Sequence, residues 1–267
     1  MKKLYFIIGT TVLGAILFGV FLLCAHLCIL HSMAGSQQKR AAQKPPAQQV
    51  VTGAKAWALG CSAMLMERNH ARHDTLAAVE ITPENVAAMK QLLRDWWGVN
   101  NRKELLEALE WLDEQGGHRK DFDRIGKSIA YITEHQFQER LAQCRYDMDK
   151  QQELIIARKY YLQLGDKSIK GWDYTRYVAM CRWGYAAGYI AEDQAWKKIM
   201  PVARKLQKTF DSWEELGNNY LIGRQFWSYE QTQASGGLFT AAFDRLMSDA
   251  ESPWNKYPWN MDLDSAE

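Results

Sequence analysis

The most continuous apolar stretch of the chain covers residues 4–30, in which no Lys, Arg, Asp or Glu occurs. At about 1.5 Å per residue a helix of this length reaches roughly 40 Å, more than the ~30 Å hydrocarbon core of a bilayer. Because backbone polar groups in lipid must be paired within the segment, the pattern predicts one membrane-spanning helix, with residues 1–31 as an anchor. The alternative is a cleaved signal peptide, whose apolar region is usually only about 7–15 residues long.

Residues 32–50 are polar, with five Gln and a pair of prolines. Such a segment buries too little apolar surface to offset chain entropy, so we expect a flexible linker. From residue 51 onward, apolar residues recur at helical spacing and almost no strand pattern is present. The sequence therefore predicts an all-α, multi-helix globular domain over residues 51–267.

Capping residues and glycines predict where individual helices begin and end. Thr82 before Pro83 is typical of a helix start, and Gly98 of its end. The pattern further predicts one helical stripe through Trp57, Cys61, Met64 and Leu65, one long helix over 134–164, a kink or break at Pro201, and a last helix after Gly236 and Gly237.

The segment 173–187 is apolar on nearly all sides, which is typical of a helix in the middle of a fold. Within it, Arg176 lies one turn after Asp173. An unpaired buried guanidinium costs several kcal/mol, so we expect these two side chains to pair. The pair is either a structural ion pair, which we favour, or part of a site for an anionic ligand.

Residues 67–74 are the densest group of ionisable side chains. Glu67 and His70 have the Glu-x-x-His spacing of carboxylate-bridged metal sites, but the chain has no second copy of the motif. We therefore predict a solvated helix end, with no metal and no cofactor. The candidate ligand-binding residues from the two segments are Glu67, Arg68, His73, Asp74, Asp173, Arg176 and Arg182.

Charge and composition narrow the classes of partner. The chain has 33 Lys and Arg against 31 Asp and Glu, and five of the basic residues lie in 1–50. The remaining body is slightly acidic, so nucleic acid is not an expected partner. Eleven Trp and twelve Tyr supply core anchors, among them Trp57, Trp96 and Trp183, or contacts for a protein partner. The tryptophans of the 252–259 tail are expected to cover the core.

Three stretches resemble a known family: LLRDWWGVNNRKELLEALEWL (92–112), GWDYTRYVAMCRWGYAAGYIAEDQAW (171–196) and SPWNKYPW (252–259). Together they resemble an uncharacterised bacterial domain-of-unknown-function family, the YbeU/YbeR type found in enterobacteria, over about residues 54–260. The resemblance implies an all-α domain and brings no activity, cofactor or catalytic residue with it. We expect the anchor to lie in the bacterial inner membrane.

Basic residues flank the anchor on both sides, so the sequence leaves the side of the globular domain open. The motifs of nucleotide-binding loops and of hydrolase nucleophiles are absent from the sequence. The leading hypothesis is a non-enzymatic, membrane-anchored interaction domain that binds the bilayer through residues 4–30 and an unknown protein through its body. The alternative is an enzyme or ligand-binding protein with a pocket around Asp173, Arg176, Arg182 and the 67–74 cluster. Neither hypothesis determines the oligomeric state.

Overall fold

The computed structural model of the chain describes residues 48–264. The predicted membrane-spanning segment, 4–30, and most of the predicted linker lie outside these residues. Within 48–264, none of the helices combines the length and the apolar character that crossing a bilayer requires. Every regular element of this part of the chain is helical, which confirms the predicted all-α class.

The described part contains twelve α-helices and one 3₁₀ turn, Gly165–Lys167, which we number in chain order. The helices are α1 (Gly53–Gly60), α2 (Ala63–Arg68), α3 (Pro83–Trp97), α4 (Arg102–Asp113), α5 (Arg119–Ile129), α6 (Glu134–Gln143), α7 (Met148–Leu164), α8 (Lys170–Ala186), α9 (Glu192–Thr209), α10 (Trp213–Trp227), α11 (Tyr229–Ser248) and α12 (Pro253–Lys256).

Helix α8 is the centre of the fold. Fifteen of its seventeen residues are buried, because α10, α9, α4, α3 and α2 all pack against it. A helix surrounded in this way needs apolar residues on every side, and its sequence has them. The prediction of a central helix is therefore confirmed, with bounds three residues earlier at the start and one residue earlier at the end.

Four tryptophans join the two ends of the domain. The ring centroid of Trp57, in α1, lies 4.5 Å from that of Trp213 and 5.0 Å from that of Trp259. Trp254 stacks on Trp213 at 5.9 Å. Each of the four indole N–H groups donates to a backbone carbonyl at 2.8–3.1 Å, so none of these indoles is left with an unpaired polar group. Trp57, Trp213 and Trp254 are buried, and Trp259 is half-buried. The prediction that the tail tryptophans cover the core is confirmed.

Two segments that are each predicted to form one helix form two helices instead, so these predictions are wrong. The stripe through Trp57 and Leu65 is interrupted at Cys61, where α1 ends and a turn leads into α2. The predicted helix over 134–164 divides at residues 144–147, because the side chain of Asp147 accepts a hydrogen bond from the N–H of Lys150 at 3.0 Å and caps α7.

Two predicted breaks do not occur. At Pro201 a kink or a break is predicted, and the break is wrong, because Pro201 lies inside a continuous α9. It is on the exposed side of the helix, where water can reach the carbonyl that loses its partner. Gly236 lies inside α11, which begins earlier because Ser228 caps it. The expectation that Trp96 is a core anchor is wrong too, since 43% of it is exposed, whereas Trp57 and Trp183 are buried.

Candidate functional site

The seven predicted site residues do not meet in one cleft. Arg176 and Arg182 are six residues apart on α8, a rotation of about 240° at 3.6 residues per turn, so they lie on different sides of the helix. Arg176 and Asp173 lie against the start of α5. Arg182 lies against the segment that carries the 67–74 cluster. Six of the seven residues therefore fall into two polar clusters, each with its own partners, and the seventh, Arg68, lies near the ring of Phe239 in α11.

The carboxylate of Asp173 is fully buried and accepts hydrogen bonds from four donors. Two are the backbone N–H groups of His118 at 3.2 Å and Arg119 at 3.1 Å. The other two are guanidinium groups, Arg176 Nη2 at 2.7 Å and Arg119 Nη1 at 3.2 Å. Burial raises the pKa of Asp173 and the two arginines oppose that rise. Because the N–H groups belong to the first turn of α5, Asp173 caps that helix from α8.

A glycine makes this approach possible. Gly117 has a φ of +48°, and a Cβ at this position would lie 2.5 Å from Oδ2 of Asp173. Neither His118 nor Arg119 is among the residues that the sequence predicts for the site. The signal that was available is that α5 begins without a capping side chain of its own, so its N–H groups need a partner from elsewhere.

His118 is held as a neutral imidazole. Its Nδ1 lies 2.9 Å from Nη2 of Arg176, which is always a donor, so Nδ1 accepts and the proton resides on Nε2. Burial lowers the pKa of His118 well below its usual range, and the Arg176 charge lowers it further. The ring is half-buried and packs edge-on against Trp111, at 5.0 Å between centroids. At neutral pH the ring therefore carries a single N–H, at Nε2.

Arg182 is completely buried and pairs with no carboxylate among residues 48–264. It donates to the carbonyls of Arg72 at 2.6 Å, Thr75 at 2.9 Å and Leu76 at 3.2 Å. Its fourth acceptor is Oγ of Ser62 at 2.9 Å. Burial lowers the pKa of Arg182 to about 9, and the Asp74 charge opposes this. The guanidinium holds the segment between α2 and α3 against α8.

The ionisable side chains of residues 67–74 are largely paired with one another. Oε2 of Glu67 lies 3.0 Å from Nε2 of His73, and its Oε1 accepts from Arg245 of α11 at 2.7 Å. Burial lowers the pKa of His73 more than Glu67 raises it. Asp74 pairs with Arg72 at 2.9 Å. Across residues 48–264, no three His, Cys, Asp or Glu side chains are placed to hold a metal ion.

An open groove of about 730 Å³ lies where α7 and α11 begin, away from both clusters. None of the seven predicted site residues lines it. Burial raises the pKa of nearby Glu153 to about 7, and the neighbouring charges of Asp121, Asp149 and Asp147 add to the rise. The lining residues are Tyr146, Asp147, Met148, Asp149, Tyr229, Glu230, Gln233 and Ala234.

We expect Asp173→Asn to lower the free energy of unfolding by about 3 kcal/mol, because it leaves two guanidiniums without their buried counter-charge. Urea denaturation followed by tryptophan fluorescence measures the change. The matched control is Asp121→Asn, which removes an exposed carboxylate 2.9 Å from Arg124 and should cost no more than about 1 kcal/mol. Equal effects of the two substitutions would contradict a structural role for Asp173.

No curated protein and no solved structure gives a match to the chain. One family model matches residues 92–259, and its description is protein of unknown function, DUF1266. The matched range contains α8 with Asp173, Arg176 and Arg182, but neither α1 nor α2. The resemblance to an uncharacterised domain family is thereby confirmed. With well over half of its length matched, the chain belongs to this DUF1266 family of proteins of unknown function.

Proposed function

We propose that the chain is a single-pass membrane protein that displays a helical domain beside a bacterial inner membrane. In this proposal residues 1–31 are the anchor, 32–50 the flexible linker and 51–267 the domain. The domain acts by binding a protein partner and carries out no catalysis.

One observation supports the proposal that the domain is not an enzyme. Six of the seven side chains that the sequence marks as candidates for chemistry are paired with other groups of the fold. Asp173 accepts from four donors, and Arg182 donates to four acceptors, all of them within residues 48–264. Buried charges that are fully hydrogen-bonded in this way leave few free positions for a substrate.

The membrane part of the proposal depends on the uncharged run over residues 4–30. We expect the full chain to sediment with membranes and to resist extraction at alkaline pH, and a chain lacking residues 4–30 to be soluble. Protease accessibility of the domain in spheroplasts then shows which side it faces. A product of the full-length gene found in the soluble fraction with its first thirty or so residues removed would overturn the anchor.

The partner part is tested by cross-linking in living cells. Photoreactive residues are introduced at exposed apolar positions, Tyr131, Tyr146, Leu162 and Leu238, with the exposed Lys103 as a polar control. A partner surface gives one discrete adduct at one or more of the apolar positions and none at Lys103. A complete absence of adducts at the four apolar positions would count against the proposal.

One observation favours the alternative, an enzyme or ligand-binding protein using Asp173, Arg176 and Arg182 with the 67–74 cluster. The neutral His118, fixed by Arg176, packs beside Trp111, and 23% of its side chain is exposed. If Arg176→Ala removes a cellular function while the melting temperature is unchanged, the alternative is correct. A large fall in melting temperature supports the structural pair instead.

We also infer that the chain is of the YbeU/YbeR enterobacterial type. The support is the likeness of residues 92–112, 171–196 and 252–259 to that type. A source organism outside the enterobacteria would contradict this inference.

A further inference from the structure

A third polar cluster lies between α2, α8, α10 and α11 and is separate from the Asp173 and Arg182 clusters. Two of its members, Arg68 and Arg224, both approach the ring of Phe239. Their Cζ atoms lie 6.0 Å and 4.3 Å from its centroid, so the two guanidinium carbons are no more than about 10 Å apart. Only 3% of Arg224 is exposed, and Nε of Arg68 is buried. Two positive charges are thus brought together at a largely desolvated position.

Neither charge is compensated by an acid. Among residues 48–264, no carboxylate forms an ion pair with Arg68 or Arg224. The guanidinium of Arg224 donates only to two neutral acceptors, the carbonyl of Gln231 and Oγ of Ser235, both at 2.7 Å. The nearest acid in sequence, Glu67, is already engaged by Arg245 and His73. Buried arginines ordinarily have a carboxylate or phosphate partner, so this cluster has excess positive charge.

Three donors in the same region have no partner in the described part of the chain. They are Nε of Arg68, the hydroxyl of Tyr220 and Nε1 of Trp172, all buried. The Tyr220 and Trp172 rings lie 5.0 Å apart between centroids, and the Tyr220 and Phe239 rings 5.9 Å apart. A buried hydroxyl without a partner costs about 1–3 kcal/mol.

Arg68, Arg224 and the Tyr220 ring all lie near the ring of Phe239. Burial raises the pKa of Tyr220, and the charges of Arg224, Arg176 and Arg68 oppose that rise. Every unused group in this cluster is able to donate a hydrogen bond. The feature that is missing is an acceptor with negative charge.

We propose that Arg68, Arg224 and Tyr220 form a binding site for an oxyanion of the phosphate type. A phosphate group offers several acceptor oxygens, and guanidinium forks pair with it through two parallel hydrogen bonds. The Tyr220 hydroxyl donates to a further oxygen of the same phosphate group. The site would accept inorganic phosphate or the phosphate of a monoester, and it does not depend on the proposed membrane function.

The experiment uses the full chain in detergent micelles and measures phosphate binding by calorimetry and by thermal shift. Inorganic phosphate is titrated against chloride at equal ionic strength, with phenyl phosphate and acetate as parallel ligands. We expect a saturable rise in melting temperature with inorganic phosphate, and a stronger response to phenyl phosphate if the natural ligand is an ester. Acetate should have no comparable effect.

Two variants make the test specific. Arg224→Met should weaken phosphate binding about tenfold or more, because it removes a charge-assisted pair. Tyr220→Phe should raise the melting temperature in phosphate-free buffer, since it removes an unpaired buried hydroxyl, and yet weaken phosphate binding about fivefold. The control Arg145→Met removes an exposed arginine and should leave the dissociation constant unchanged.

Three results would overturn the proposal. The first is the absence of any saturable effect of inorganic phosphate or phenyl phosphate. The second is binding that Tyr220→Phe and Arg224→Met leave unchanged. The third is an equal response to acetate, which would show a site without preference for phosphate. Because Tyr220→Phe removes one oxygen atom only, its result is informative even if Arg224→Met fails to fold.

Discussion

Arg182→Met is expected to lower the free energy of unfolding by about 3–5 kcal/mol. The substitution keeps an unbranched apolar stem and removes every donor. The carbonyls of Arg72 and Leu76 lose their side-chain donor, whereas the Thr75 carbonyl keeps the N–H of Ala78 at 3.2 Å. A buried acceptor left without a donor costs about 1–3 kcal/mol. Since the segment that carries these carbonyls joins α2 to α3, we also expect its local protection from hydrogen exchange to fall first.

Chemical denaturation of the wild type and the variant, followed by tryptophan fluorescence, measures this effect. Arg102→Met is the matched control, because Arg102 is exposed and donates to Gln194 at 2.9 Å across the surface. It should change stability by about 0.5 kcal/mol or less. Arg182→Lys separates charge from geometry, since a single ammonium cannot reach four acceptors. The free energy of unfolding can be measured to within about 1 kcal/mol. If the value for Arg182→Met lies within that margin of the wild-type value, the buried guanidinium does not stabilise the fold.

A chain that begins at residue 92, where the family match begins, is expected not to fold cooperatively. It lacks α1 and α2 and therefore Trp57, which packs against Trp213 and Trp259. It also lacks Ser62 and the three carbonyls of residues 72–76, which are all the acceptors of Arg182. The lost apolar burial and the unpaired charge together exceed the ~5–15 kcal/mol that stabilises a typical domain.

The measurement compares chains of residues 92–264 and 48–264 by near-ultraviolet circular dichroism and urea denaturation. The longer chain should show one sharp transition and a defined aromatic spectrum, and the shorter chain neither. A cooperative transition of equal steepness in the 92–264 chain would contradict the view that the first two helices belong to the core.

Local patterns account for much of what could be predicted. The all-round apolar character of α8 is a property of its own seventeen residues, and the pairing of Asp173 with Arg176 follows from their spacing of one turn. The N-cap at Thr82 is likewise local, and its side chain accepts the expected backbone hydrogen bond from Asn85. Predictions failed where a short turn interrupts an apolar pattern without Gly or Pro, as at residues 144–147 between α6 and α7.

The partners of the buried charges could not be predicted in the same way. Asp173 caps a helix that begins more than fifty residues earlier, and nothing in the sequence near either residue indicates the other. Arg182 finds its acceptors more than a hundred residues away, and they are backbone carbonyls, which every residue has. Such contacts have no sequence signal because they depend on how helices pack.

By itself, the sequence determined the helical class, the position of the central helix and the Asp173–Arg176 pair, because helical periodicity and spacing act over a few residues. Only the tertiary structure decided that Arg176 and Arg182 lie on different sides of α8, and that Arg68, Arg224 and Tyr220 come together around Phe239. The physical reason is that packing between distant helices selects these neighbours, and the selection leaves no periodic pattern in the chain.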